Sequence, residues 1–303
     1  MSQLRPLRWL GTLMLLTGLL ASNSLQVMAQ EEESEWVPGK YMIQAVGEML
    51  DAADVLQRDL KYGYAEGACM VGVLLQPQGD YTMTRRFEKG IEYAIVAGGD
   101  EDASDIDVEI LDSKGNVVIK DDSEDRLGVI EWTPTTTGEY RVRVKLFEAR
   151  IESFCAFTVL RKGGYQIPLQ QAVDAAGKFF RDCNGIVSVA EDRGNTVGFL
   201  SEDGQAGIWG CVLPRGESLT MTNVIPGEGQ AVMLGRGNDD DVDIDIFVMR
   251  GDTTIGEDTA EDSFPQYYGE FKDGASYSVM LKNVDAQNET AFVIGGVLRL
   301  FPE

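Results

Sequence analysis

Gly99-Asp-Glu-Asp-Ala-Ser-Asp-Ile-Asp-Val-Glu-Ile110 returns as Gly237-Asn-Asp-Asp-Asp-Val-Asp-Ile-Asp-Ile-Phe-Val248, 138 residues further along the chain. A sustained internal repeat sets the architecture, because each copy must fold into the same unit. Both copies run from an acidic loop into an alternating segment. With the two-residue period of a strand, Ile106, Val108 and Ile110 share one face and Asp105, Asp107 and Glu109 the other. In the second copy Val242, Ile244, Ile246 and Val248 oppose Asp243 and Asp245. The apolar face is predicted to enter a core and the carboxylates to face out.

The match extends on both sides. Thr82-Met-Thr84 pairs with Thr220-Met-Thr222, and Tyr93–Ala97 with Ala231–Leu234. Asp121-Asp-Ser123 pairs with Glu257-Asp-Thr259, and Phe154–Leu160 with Phe292–Leu298. Seven or eight short strands separated by turn signals predict one β-sandwich per copy. Each sandwich is preceded by apolar residues at helical spacing: Met42, Val46, Met49, Ala53 and Leu56, then Leu169, Val173, Ala176, Phe179 and Cys183. Gln44-Ala-Val46 matches Gln171-Ala-Val173 at an offset of 127. The second copy therefore carries about 11 extra residues, expected within Asp192–Gln205. Gly163-Gly164 is the expected linker, which gives domains over 39–162 and 163–303.

The N-terminus joins Arg5 and Arg8 to the apolar run Trp9–Leu20 and ends on Val27-Met28-Ala29. That pattern predicts a secretory signal peptide over 1–29, followed by a flexible acidic leader over 30–38. The mature chain is then periplasmic or extracellular, with no stretch apolar and long enough to span a membrane. Four cysteines in an exported protein suggest disulfides, here Cys69–Cys155 and Cys183–Cys211, each within one copy.

Lys and Arg total 26 against 50 Asp and Glu, a net charge of −24. Such a surface disfavours nucleic acids and anionic membranes and favours cations or basic partners. There is no histidine, which removes the commonest general base and zinc ligand together with every Ser-His or Cys-His catalytic arrangement.

Asp105-Ile-Asp-Val-Glu-Ile-Leu-Asp-Ser-Lys-Gly-Asn116, then Asp121-Asp122, Trp132-Thr-Pro134 and Gly138-Glu-Tyr140-Arg-Val142 resemble the bacterial pre-peptidase C-terminal domain. The first copy matches that pattern over about residues 67–160. The second matches more weakly over 207–300, keeping Asp243-Ile-Asp245, Asp258 and Gly274…Tyr277 but placing Tyr267-Tyr268 at the Thr-Pro step. The resemblance implies a mainly β protein of two tandem jelly-roll-like β-sandwich domains, each preceded by an α-helix. The family's domains are non-catalytic appendages, some linked to calcium or substrate binding.

Two readings of the acidic loops stand side by side. As hard oxygen donors, Asp100, Asp102, Asp105, Asp107 and Asp122 in the first copy, and Asp239, Asp241, Asp243, Asp245 and Asp258 in the second, would hold calcium. Alternatively they cap turns and keep an edge soluble. Arg250-Gly-Asp252 falls where a hairpin turn is expected, Asn288-Glu-Thr290 is a glycosylation sequon in a eukaryote, and Trp132 and Trp209 are expected in the core. The function expected is that of an exported, non-catalytic binding or structural protein with an extracellular protein or polysaccharide as partner. An acid-residue-dependent secreted hydrolase, or an inhibitor of a secreted enzyme, is the alternative.

Overall fold

The computed structural model describes residues 39–121, 123–200, 205–285 and 289–302. The expected signal peptide and acidic leader lie outside the described residues, as do Asp122 and Asn288. Among the described residues the protein is mainly β, with two helices and antiparallel pairing throughout the sheets. No helix among the described residues is long and apolar enough to cross a membrane.

The first half opens with α1 (Lys40–Leu60) and continues through β1 (Tyr62–Tyr64), β2 (Gly67–Leu75), β3 (Asp80–Phe87), β4 (Tyr93–Gly99), β5 (Ala103–Leu111), β6 (Val117–Asp121), β7 (Leu127–Trp132), β8 (Gly138–Ala149) and β9 (Ser153–Lys162). The second half repeats the order with α2 (Leu169–Glu191), β10 (Asn195–Phe199), β11 (Ile208–Pro214), β12 (Ser218–Val224), β13 (Gly229–Gly237), β14 (Asp243–Arg250), β15 (Thr253–Asp258), β16 (Gln266–Phe271), β17 (Tyr277–Asp285) and β18 (Thr290–Pro302).

The halves are joined strand to strand. One ten-stranded sheet runs β16-β13-β18-β11-β2-β9-β4-β7, with β1 added beside β9 and β10 beside β18. The seam is β2 against β11, where Gly72 faces Ile208 and Met70 faces Gly210. A Cβ at Gly72 would lie 2.5 Å from the Ile208 side chain, so only glycine fits this approach. Two four-stranded sheets, β3-β8-β5-β6 and β12-β17-β14-β15, complete the halves.

Three cores follow from this layering. Both helices bury their apolar stripes on one face of the long sheet, in a single cluster that includes Met49, Leu56, Phe179, Phe180, Phe292 and Leu298. On the other face each small sheet packs separately, one through Ile106, Val108, Ile110 and Phe157, the other through Ile244, Ile246, Val248 and Trp209. The long sheet is thus covered on both faces, which explains why β2, β11 and β18 are nearly continuous apolar runs.

The inserted residues of the second half lie partly earlier than the expected segment. Tyr64 pairs with Leu160 and Phe199 with Leu298, so the offset has already reached 135 at β10. Measured at the helix offset of 127, α2 runs one turn further than α1, through Ser188–Glu191.

Candidate functional site

The repeated acidic run is used first to tie loops down. The Asp100 carboxylate, 2 % exposed, accepts hydrogen bonds from Phe154 N at 2.7 Å and Asp102 N at 3.0 Å. These fasten the β4–β5 corner to the start of β9. In the second half Asn238 stands in its place and its Oδ1 accepts from Phe292 N at 3.0 Å. A neutral amide thus keeps the tie to the start of the last strand, while the second bond, from Asp102 N, belongs to the first half. The buried Asp102 carboxylate pairs with Arg150. Asp239 Oδ1 accepts from Asp241 N at 3.4 Å, with both side chains exposed.

A second tie joins the small sheet to the edge of the long one. Asp121 accepts from Ser123 N at 3.2 Å and Val129 N at 2.6 Å. Asp258 accepts from Ala260 N at 3.2 Å and Gln266 N at 3.0 Å. Val108 faces Asp121 and Ile246 faces Asp258, so the equivalent of Asp258 is Asp121 and not Asp122. Asp125 and Asp262 then close the loops, accepting from Leu127 N at 2.9 Å and Phe264 N at 2.8 Å through their carboxylates. Their carbonyls accept from Ile106 N and Ile244 N, both at 2.9 Å. Asp125, Asp262 and Asn238 are missed by the sequence reading, although Asx-turn spacing is an available signal for Asp125 and Asp262.

This loop changes the expected exposure of the Asp-x-Asp strand. Ile106, Val108 and Ile110 face the core as the alternation requires, but Asp105 and Asp245 are also buried, at 7 % and 8 % exposure. Asp105 Oδ1 and Asp243 Oδ1, at equivalent positions of the two halves, are buried without a hydrogen-bond donor among the described residues. Burial raises the Asp105 carboxyl above its ordinary range, and Asp107, Glu124, Asp125 and Glu148 raise it further. Asp243 is raised by burial and by Glu261 and Asp262. Asp245 is raised by burial and Asp243, with Lys282 opposing. Among the described residues no group of three Asp, Glu, Cys or His side chains is arranged to hold a metal.

The disulfides expected from sequence do not form: all four cysteines are free and buried. Cys69 and Cys183 belong to the helix-side core, whereas Cys155 and Cys211 lie in the cores on the opposite face. Each expected pair is therefore split by the long sheet. Burial pushes the thiols up, Cys69 to about 12, so they stay protonated and unreactive at neutral pH. Trp209 is buried in the second sandwich core, and Trp132 packs edge-on against Phe87 and Tyr140. Arg250-Gly-Asp252 forms the β14–β15 turn, with Gly251 at φ 59.

One cavity of about 610 Å³ opens where α2 overhangs the β16 edge of the long sheet. Strand register explains its polar floor. Val96 faces Val129 and Ala94 faces Glu131 in the first half, where Leu234 faces Gln266 and Val232 faces Tyr268 in the second. Tyr268 thus replaces Glu131 and does not occupy the Thr133-Pro134 step. Arg181 and Asp182 line the helix side, with Gly185 and Ile186 one turn on and Val189 in the added turn. The Asp182 carboxyl is raised by burial and lowered by Arg236, which approaches it at 3.5 Å.

No family model matches the chain, and no curated protein matches it. Solved structures give low similarity. The PBSX exported protein XepA is 10% identical, with 75% of this chain and 84% of that one covered and a TM-score of 0.24. The M60 catalytic domain with CBM51 domains from Clostridium perfringens ZmpB is 7% identical, covering 76% and 36%, with a TM-score of 0.25. The A223 turret protein of Sulfolobus turreted icosahedral virus is 13% identical, covering 75% and 98%, with a TM-score of 0.20.

Proposed function

We propose that this chain is an exported, non-catalytic binding or structural protein built from two jelly-roll sandwiches fused edge to edge. Each half divides its strands between two four-stranded layers in the same order, β2-β9-β4-β7 over β3-β8-β5-β6 and β11-β18-β13-β16 over β12-β17-β14-β15. That order supports the jelly-roll assignment, as does the resemblance to the pre-peptidase C-terminal pattern. Arg5, Arg8 and the run Trp9–Leu20 support export to a periplasmic or extracellular setting, with an extracellular protein or polysaccharide as partner.

The observation that carries the non-catalytic reading is the use made of the repeated carboxylates. In both halves they accept from backbone N–H groups at sheet corners, and the chain has no histidine to serve as base. The purified protein should give no turnover with chromogenic glycosides, esters or peptides. Turnover abolished by one Asp or Glu substitution would overturn this reading in favour of a secreted hydrolase.

Calcium is a second reading, favoured by the two orphaned oxygens, Asp105 Oδ1 and Asp243 Oδ1. Their donor set is all oxygen and suits a hard cation, with Asp107 and Asp245 adjacent on the strands. Asp100, Asp121 and Asp258 are committed to the backbone and are poor candidates. Calcium should raise the melting temperature of the wild type, reversed by chelator, and raise that of Asp105→Asn less. Equal melting temperatures with and without calcium would remove this reading.

A further inference from the structure

We infer that the cavity beneath the end of α2 binds a small organic carboxylate with a flat apolar body. This deepens the binding reading, and the turnover assays above test that reading independently.

The same place in the first half is occupied by different side chains. There Leu127 and Val129 pack into the helix-side core, Glu131 accepts a hydrogen bond from the Tyr62 hydroxyl at 2.9 Å, and Arg126 pairs with Glu48 across the gap. The second half keeps the backbone and replaces the filling. Gln266 and Tyr268 stand where Val129 and Glu131 stood, and Gly185 stands where α1 has Arg58. A Cβ at Gly185 would meet nothing within 4 Å, so the helix surface there is open to the cavity.

The lining specifies the ligand. At the helix offset, Asp54 of α1 becomes Arg181, and the added turn leads into Arg193. Both arginines line the cavity and neither makes an ion pair among the described residues. Asp182, the carboxylate of the lining, has Arg236 at 3.5 Å without a hydrogen bond between them, and Arg236 also pairs with Asp240. Arg181 acts on Asp182 and Asp240 only at longer range, so two guanidinium groups outside any ion pair among the described residues line the cavity and favour an anion, and their planar fork matches a carboxylate. Ile186, Val232 and Leu300 offer an apolar wall, and the half-exposed ring of Tyr268 stands at the rim. The volume is within the roughly 300–1,000 Å³ typical of small-molecule sites.

Isothermal titration with 4-phenylbutyrate tests the assignment. The wild type should bind with a Kd near or below about 1 mM. Arg181→Ala/Arg193→Ala should weaken binding by about tenfold or more, and the neutral 4-phenylbutanamide should show a similar loss against the wild type. Gly185→Leu should narrow the cavity and weaken binding while keeping the wild-type melting temperature or raising it, because leucine is the better helix former. No binding by the wild type overturns the inference. So does equal affinity for the amide, or undiminished binding in a folded double-arginine or Gly185→Leu variant.

Discussion

At one end of the long sheet Leu127, Val129 and Glu131 lie under α1 and are closed over by Tyr62, Arg126 and Glu48. At the other end Phe264, Gln266 and Tyr268 lie under α2 and border a cavity of about 610 Å³. The helices differ in the same sense. Glu48, Asp51 and Asp54 of α1 correspond at the helix offset to Ala175, Lys178 and Arg181 of α2. The corner ties meanwhile stay the same, with Asp121 and Asp258 making equivalent hydrogen bonds. What is kept between the halves therefore holds the fold, and what is changed lies at the ends, where a repeated scaffold is free to acquire a site.

The largest effect is expected where the halves meet. Gly72→Val forces a side chain into Ile208 and Phe154 and should cost about 3 kcal/mol, read as a lower midpoint of urea denaturation. An unchanged midpoint would mean that the halves do not depend on this seam. Next, Asp100→Ala leaves the buried Phe154 N–H without its acceptor and should cost about 1–3 kcal/mol in thermal denaturation. Asp100→Asn should cost less than alanine, since it can keep the bond from Phe154 N as Asn238 does in the second half and loses only the one from Asp102 N. A loss equal to that of alanine would show that the charge matters.

The helix contrast gives the third prediction. Burial pushes the Asp51 carboxyl up to about 6, with Glu48 and Asp54 adding repulsion. A folded-state value above the unfolded 3.8 means that ionisation opposes folding. The destabilisation is full above about pH 6 and gone below the unfolded value. After allowance for its partial exposure, Asp51→Asn should stabilise by about 1–2 kcal/mol at pH 8, with the gain fading as pH falls through 6. A gain independent of pH would break the argument. Smallest, Gly185→Ala should add about 0.5–1 kcal/mol by helix propensity, because its Cβ meets nothing.

The repeat made much of this architecture legible from sequence. Alternation placed Ile106, Val108, Ile244 and Ile246 in sandwich cores, and the three- and four-residue spacing located both helices. Fusion of the halves was written less plainly. The runs Gly67–Leu75 and Ile208–Pro214 are apolar at consecutive positions, the mark of strands covered on both faces, but composition does not name the partner strand. The cysteine pairing failed for a related reason: nearness in sequence says nothing about which face of a shared sheet a side chain takes. Among the acidic residues, a one-residue slip matched Asp258 to Asp122 where strand pairing matches it to Asp121. The cavity was hidden by another slip, which set Tyr267-Tyr268 against Thr133-Pro134 and concealed the replacement of Glu131 by Tyr268.

The central claim is that the repeated carboxylates fasten the fold. Its most direct test is thermal denaturation of Asp121→Ala and Asp258→Ala, each with calcium and with chelator. Both variants should lose about 1–3 kcal/mol, by the same amount in either condition, because each frees a backbone N–H on the next strand. Variants as stable as the wild type in chelator, and weaker only when calcium is present, would contradict the account.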